Sequence, residues 1–341
     1  MPNMKAIKRR RLTVKNISQI TKAMNLVATS KLQRARNALA AVAAPIEATF
    51  HITYNTVSHP DALSHPLVFT GALPTTGPKK KTAYVVMTGN RGLCGGYNSN
   101  VCKELIRHVK ENDADPLIIP VGTKGRDYLR RRHYHVEDYP FTDPEAFAGD
   151  TGNAENNTEA ATGGDSFKVA KEISDIIVDL YTSGQVNAVY IVYTKFITVL
   201  SLTPIVRQIL PLDPQYLRKV LALGLTEGET LEDLGFFSVL NPGAHGGPEA
   251  SPRQAMADMD FEPDLPTVLD HVIPWYLSMF LHGAYTSATL CEHAARMTSM
   301  DSSTKNAGDI IEKLTLQFNR QRQSIITQEI TEIVSGANAL E

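Results

Sequence analysis

Two apolar stripes, one near each end of the chain, constrain the fold more than anything between them. From Ala307 onward the apolar positions are Ala307, Ile311, Leu314, Phe318, Ile326, Ile330, Ile333, Ala337 and Leu340. Their spacing by three, four and eight residues marks one face of a helix. No proline follows Pro274, so about 65 residues can run as a single helix, roughly 100 Å long. An ordinary globular helix has about 11–12 residues. A helix this long needs a partner for its stripe, and the N-terminus supplies one: Ile17, Ile20, Met24, Val27, Leu32, Ala35, Leu39, Val42, Ile46 and Phe50 step mostly by three and four. Pro45 removes one donor and is expected to kink this helix rather than end it, since the stripe continues to Phe50. An antiparallel coiled coil with a separate body looped out between its helices fits both stripes. Independent packing of each helix on a common core remains the alternative.

Between the helices the pattern changes to alternating strands and helices. Residues 82–88 and 117–121, and then 188–193 and 198–208, read as strands. Helices are expected over 99–110, 124–132 and 167–180. That order implies a small, mostly parallel sheet covered by helices. The fold class is thus α/β, a Rossmann-like domain carried between long N- and C-terminal helices. The expected division is a coiled-coil helix over 1–58, a linker over 59–81, the α/β domain over 82–210, an insertion over 211–263 and the second coiled-coil helix over 264–341. The stretch 149–165 is polar, acidic and low in complexity, and is expected to be a mobile loop. The insertion is expected to hold a helical piece at 216–223 and an apolar run, FFSVL, at 236–240.

Composition excludes several classes. Hydrophobic residues make up 43% and charged residues 21%, as in soluble globular proteins. No apolar run of about 18 residues occurs, and no apolar core follows the basic N-terminus, so neither a membrane span nor a signal or transit peptide is expected. Three scattered cysteines do not form a disulfide framework. The net charge of −2 hides an asymmetry: Lys5, Lys8, Arg9, Arg10, Arg11, Lys15, Lys22, Lys31, Arg34 and Arg36 precede the first acid, Glu47. Such a helix attracts something negative, whether nucleic acid or an acidic protein collar. No aromatic residue interleaves the basic ones, which disfavours single-strand stacking.

Catalytic constellations are missing. The glycine-rich run at 89–98, GNRGLCGGYN, lacks the Lys-Ser/Thr of a P-loop and the G-x-G-x-x-G spacing, so its glycines suit tight turns better than phosphate binding. Cys94 has no base nearby in sequence. The pairs His133/His135 and Cys291/His293 fall short of a zinc ligand set. Glu329 and Glu332, beside the apolar stripe, suit solvent or a partner. No cofactor, metal or enzymatic activity is expected.

Four motifs in order carry a resemblance. ITKAM at 20–24 with VATSK at 27–31, GLCGGYN at 92–98, Arg296–Met297 with Met300, and RQSIITQEITEIVSG at 322–336 resemble the gamma-subunit family of F-type ATP synthases. The resemblance implies a non-catalytic rotor shaft, present once per complex, turning inside a hexamer of alpha and beta subunits. The α/β domain would be its foot, seated with the epsilon subunit on a membrane proteolipid ring. The protein would then be peripheral on the cytoplasmic face of a bacterial inner membrane, with no nucleic acid involved; the alternative is a nucleic-acid-binding coiled-coil protein using the basic helix. It further implies hexamer contacts at Lys22, Met24, Arg296, Gln323 and Thr327, and a functional foot loop at Gly92, Leu93, Cys94, Gly95 and Gly96. The sequence departs from the family in three places. Insertion 211–263 has no cysteine, so the dithiol gating of light-regulated plant members is not expected. The run 300–306, MDSSTKN, is unusually polar, and the acidic stretch near Ala154 has no counterpart.

Overall fold

The computed structural model describes residues 4–68, 81–112, 115–144, 164–214, 217 and 261–338. Its elements are α1 (Met4–Val57), β1 (Lys81–Met87), α2 (Tyr97–Glu111), β2 (Asp115–Val121), α3 (Thr123–Arg130), α4 (Gly164–Thr182), β3 (Ala188–Phe196), β4 (Leu202–Leu210) and α5 (Leu265–Asn338). Both long helices form as expected, and each runs through its proline, Pro45 in α1 and Pro274 in α5. The chain divides into two compact units: Met1–Ser30 with Arg296–Glu341, and Lys31–Ala295.

The first unit is a helix pair. Thr21 and Thr304 share a hydroxyl hydrogen bond of 2.8 Å, Asn25 Nδ2 donates to the Met297 carbonyl at 3.2 Å, and the Arg11 guanidinium stands 5.3 Å from the centre of the Phe318 ring. As numbers rise along α1 their partners fall along α5, so the pair is antiparallel. Among its described residues the buried apolar side chains are Ile7, Ala28, Met300, Ala307 and Leu314, and Arg296 is buried with them. The face α1 turns to α5 differs from the stripe read in sequence. Ile17, Ile20 and Val27 are 48%, 59% and 57% exposed, and the helices meet through Thr21, Asn25 and Ala28 instead. Small and polar residues let the backbones approach and satisfy one another across the seam, which apolar periodicity does not report. The polar run 300–306 has the same explanation, since Thr304 lies in the seam while Asp301 and Lys305 pair on its flank at 2.7 Å.

On α5 the expected stripe holds as far as Phe318: Ala307 and Leu314 are buried, Ile311 and Phe318 half-buried. Ile326, Ile330 and Ile333 are exposed. With Arg11 opposite Phe318 and α1 beginning two turns earlier at Met4, the last turns of α5 have no described α1 residue facing them. Ala337 and Leu340 lie outside the described side chains.

The second unit is built on one sheet of order β2-β1-β3-β4. β2, β1 and β3 are parallel, and β4 returns antiparallel to β3. Side chains alternate across the pleat. Ala83, Val85 and Met87 of β1 enter a core with α4 (Val169, Ile173, Ile177) and the inner segments of α1 and α5 (Leu39, Ile46, Phe50, Leu277, Phe280). Tyr84 and Val86 point the other way, against Val101, Leu105 and Val109 of α2 and Leu129 of α3. Burial on both faces explains why β1 reads as a continuous apolar run.

Some boundaries move. The fourth strand begins at Leu202, because Ile197–Ser201 close the β3–β4 turn through hydrogen bonds between Thr198 and Ser201. Within the stretch expected as linker, Pro60–Ser64 form a 3₁₀ turn, and Ala62, Leu67 and Val68 are buried in the main core. Helix α4 starts at Gly164, inside the span expected as an acidic loop. The rest of that span, and the helical piece and FFSVL run expected in the insertion, lie outside the described residues, apart from the buried Leu217.

Candidate partner interface

The helix pair carries the first candidate surface. Along α1, Lys5, Lys8, Arg9, Arg10, Lys15 and Lys22 are exposed, and no acid occurs on the helix before Glu47. Interspersed with them, Leu12, Ile17, Ile20, Leu26 and Val27 are also exposed. On α5, Ile310, Leu316, Ile326, Ile330, Ile333 and Val334 face outward. Water-facing apolar residues in this density mark a contact surface. Its α1 side combines apolar and cationic groups, which suits a partner with an apolar seat rimmed by carboxylates.

The five contact residues expected from the resemblance fall at two separate levels. Lys22 is exposed and Met24 half-buried, close to where Asn25 bonds Met297, and Arg296, only 9% exposed, is next to Met297. Gln323 and Thr327 are exposed near the end of α5. At about 1.5 Å per residue they lie roughly 40 Å beyond Arg296. The structure therefore brings Lys22, Met24 and Arg296 to one level of the pair and leaves Gln323 and Thr327 at another. Sequence reasoning missed Leu12, Leu26, Ile310, Leu316 and Val334, which fall off the periodic stripe. Their signal was that very mismatch, large apolar residues on a face assigned to solvent.

The glycine loop of the sheet unit is held by its own side chains and by α3 and α5. Asn98 Oδ1 accepts from the Gly89 N–H at 2.8 Å, and its Nδ2 donates to the Cys94 sulfur at 3.2 Å. Asn90 joins the loop to α3, accepting from the Thr123 N–H at 3.1 Å and donating to Asp143 at 2.7 Å. Tyr97 reaches back to α5, its hydroxyl donating to the Ala288 carbonyl at 3.0 Å. Cys94, Tyr97, Cys291 and Ala295 pack as one buried cluster. Burial, then the nearby Glu292 carboxylate, pushes the Tyr97 phenol well above its ordinary range, and burial raises the Cys291 thiol likewise.

Gly95 takes the left-handed φ of 57° that the turn requires, but Leu93 adopts φ 63° as well. A bulky residue there is strained, and its side chain is 61% exposed. The loop thus anchors Cys94 and Tyr97 inside and holds Leu93 outside. This supports tight turning and presentation of one apolar side chain. His133 and His135 are exposed, and among the described residues no cluster of His, Cys, Asp or Glu could hold a metal ion. Among them, too, no helix is long and apolar enough to cross a membrane.

A family model described as ATP synthase matches residues 3–340. The ATP synthase gamma chain of Ruminiclostridium cellulolyticum is 35% identical, over 99% of each chain, and that of Lachnoclostridium phytofermentans is 34% identical over the full length of both. The chain belongs to the ATP synthase gamma-chain family. The resemblance read from four motifs therefore extends along the whole chain, and the basic helix is part of a gamma chain. The fold agrees: a chain of the Euglena gracilis mitochondrial ATP synthase structure superimposes with a TM-score of 0.54 at 17% identity, over 99% of this chain and 94% of that one. This chain combines two long helices with a small sheet domain, the architecture expected from the stripes and the strand order.

Proposed function

We propose that this gamma chain is the central rotor of a proton-translocating ATP synthase and is not itself catalytic. The helix pair turns inside a hexamer of alpha and beta subunits. The sheet unit forms the foot, held with the epsilon subunit on a membrane proteolipid ring, at the cytoplasmic face of a bacterial plasma membrane. The observation that carries this reading is the outward surface of the helix pair, where exposed apolar side chains alternate with cations. A rotor must slide past several equivalent partners. Half-exposed apolar groups and long flexible cations permit that, whereas interlocked packing fixes one position.

One chain inside a threefold ring of sites presents a different side to each, so turning it shifts each beta subunit between states of different nucleotide affinity. Lys22, Met24 and Arg296 contact the hexamer at one level, Gln323 and Thr327 at the other. Gly92–Gly96 present Leu93 to a partner from the foot. The chain contributes torque, and its partners contribute chemistry.

Co-purification tests this reading. A tagged copy expressed with alpha, beta and epsilon subunits should retain them through a wash in high salt, and the isolated chain should not hydrolyse ATP. Recovery of nucleic acid without those subunits, lost as salt rises, would overturn it.

A further inference from the structure

We propose that the turn closing α3 is a binding site for a phosphate group, held by Arg131 and Arg132 with His133 beside them. The segment Arg130-Arg131-Arg132-His133-Tyr134-His135 is the densest run of basic residues in the sheet unit, and Arg130 to His133 and His135 are all exposed. Its cations are not equivalent. Arg130 donates to Asp138 at 2.7 Å and to the Val136 carbonyl at 3.2 Å, and Arg126 reaches Asp127 and the same Asp138. These two have carboxylate partners. Arg131 and Arg132 have none among the described residues, yet both are held. Arg131 Nε donates to the Asp127 carbonyl at 3.0 Å, which leaves its terminal amino groups available. Arg132 lies 4.1 Å from the centre of the Tyr128 ring, a contact that restrains the guanidinium plane and leaves its N–H edge open.

The backbone adds to the case. His133 N–H donates to the Arg130 carbonyl and Tyr134 N–H to the Leu129 carbonyl, with His133 at φ 62°. This is the helix-ending motif whose left-handed position usually holds glycine. A histidine there costs stability that glycine would keep, and it puts an exposed imidazole next to the two arginines in sequence. One basic residue suffices to complement a helix C-terminus, and Arg130 fills that role. Two further guanidiniums, restrained and without carboxylate partners among the described residues, match the planar bidentate recognition that phosphate oxygens accept. The phosphate can belong to a lipid headgroup or to a soluble phosphate compound.

The test uses the full chain at about 0.15 M salt, where generic surface attraction is screened. Pyrophosphate binding is followed by calorimetry, and vesicle binding by sedimentation with phosphatidylglycerol or, at equal surface charge, oleate. Replacing Arg131→Ala with Arg132→Ala should weaken phosphate binding about tenfold or more, the scale of one or two charge-assisted hydrogen bonds. Arg131→Lys with Arg132→Lys keeps the charge and should still lose several-fold. Lys103→Ala with Lys110→Ala, exposed on α2, should change it less than about twofold. Unchanged thermal unfolding confirms that each variant is folded. Binding of pyrophosphate identifies a soluble phosphate, and binding of phosphatidylglycerol vesicles alone identifies a headgroup. Binding of neither, equal binding to oleate vesicles, or an equal loss in the lysine pair overturns the proposal.

Discussion

Replacing Met24 by Lys separates a contact role from a packing role. Met24 is half-buried on α1, between the Thr21–Thr304 and Asn25–Met297 hydrogen bonds that hold the seam. Full burial of a Met side chain stabilises by about 1.5–3 kcal/mol, so a half-buried one contributes roughly 1 kcal/mol. Lysine keeps most of that through its methylene stem and matches Met in helix propensity. The buried pairing at Ile7, Ala28, Ala307 and Leu314 is untouched. The helix pair should therefore form and the complex assemble. The new ammonium, beside Lys22 and facing the carboxylate rim proposed for the partner, should gain an ion pair of about 1–3 kcal/mol in whichever rotary state brings them together. Held in the ground state, that slows departure by about 5- to 150-fold. ATP hydrolysis should persist while proton pumping falls, and loosening the same level at Arg296 should partly restore it. Assembly, hydrolysis and pumping are measured on one preparation. Failure to assemble, or undiminished pumping, refutes the contact reading.

The sheet unit gives three further predictions. Gly122→Ala should lower stability by about 3 kcal/mol or more in denaturant titration, since Gly122 has φ 107° and a Cβ there would lie 2.1 Å from the Thr88 carbonyl oxygen. Acidification should destabilise the fold below about pH 6.5. His282, hydrogen-bonded to Ser166 and packed on Phe167, has its pKa lowered by burial. The folded chain thus binds this proton less tightly than the unfolded chain, and stability present above the unfolded value is lost as pH falls towards the folded one. His108 acts in the same direction, so the unfolding midpoint should fall from about pH 7.5 to 5.5, and less so in His282→Gln. Thiol reagents should not label the native chain quickly: Cys94, Cys102 and Cys291 are all buried, and burial pushes Cys102 up to about 12. Rapid stoichiometric alkylation before unfolding would contradict this.

Periodicity made the two long helices legible and left two ways to cover their stripes, an antiparallel pair or packing on a common core; the outer segments take the first and the inner segments the second. The order of strands was legible for a similar reason: burial on both sheet faces leaves apolar runs such as 83–87 that stand out from their surroundings. What periodicity misassigned was the contact face in the helix pair. Thr21, Asn25 and Thr304 bond across the seam through polar atoms, so hydrophobic spacing pointed to Ile17, Ile20 and Val27, which face away from it. The candidate surface therefore consists partly of residues that had been read as core. In the glycine loop the turn was legible from composition. The outward Leu93 was not, because nothing in GLCGG says which residue besides a glycine takes a positive φ.

Rotation is the most direct test of the central claim. All three native cysteines are buried, so Lys103→Cys, on the exposed side of α2, offers a unique attachment point for a bead on the foot. With the alpha–beta hexamer fixed to a surface and ATP supplied, the account predicts stepwise turning in one direction, in steps of one third of a revolution. Steady hydrolysis by an assembled complex whose bead does not turn would contradict it.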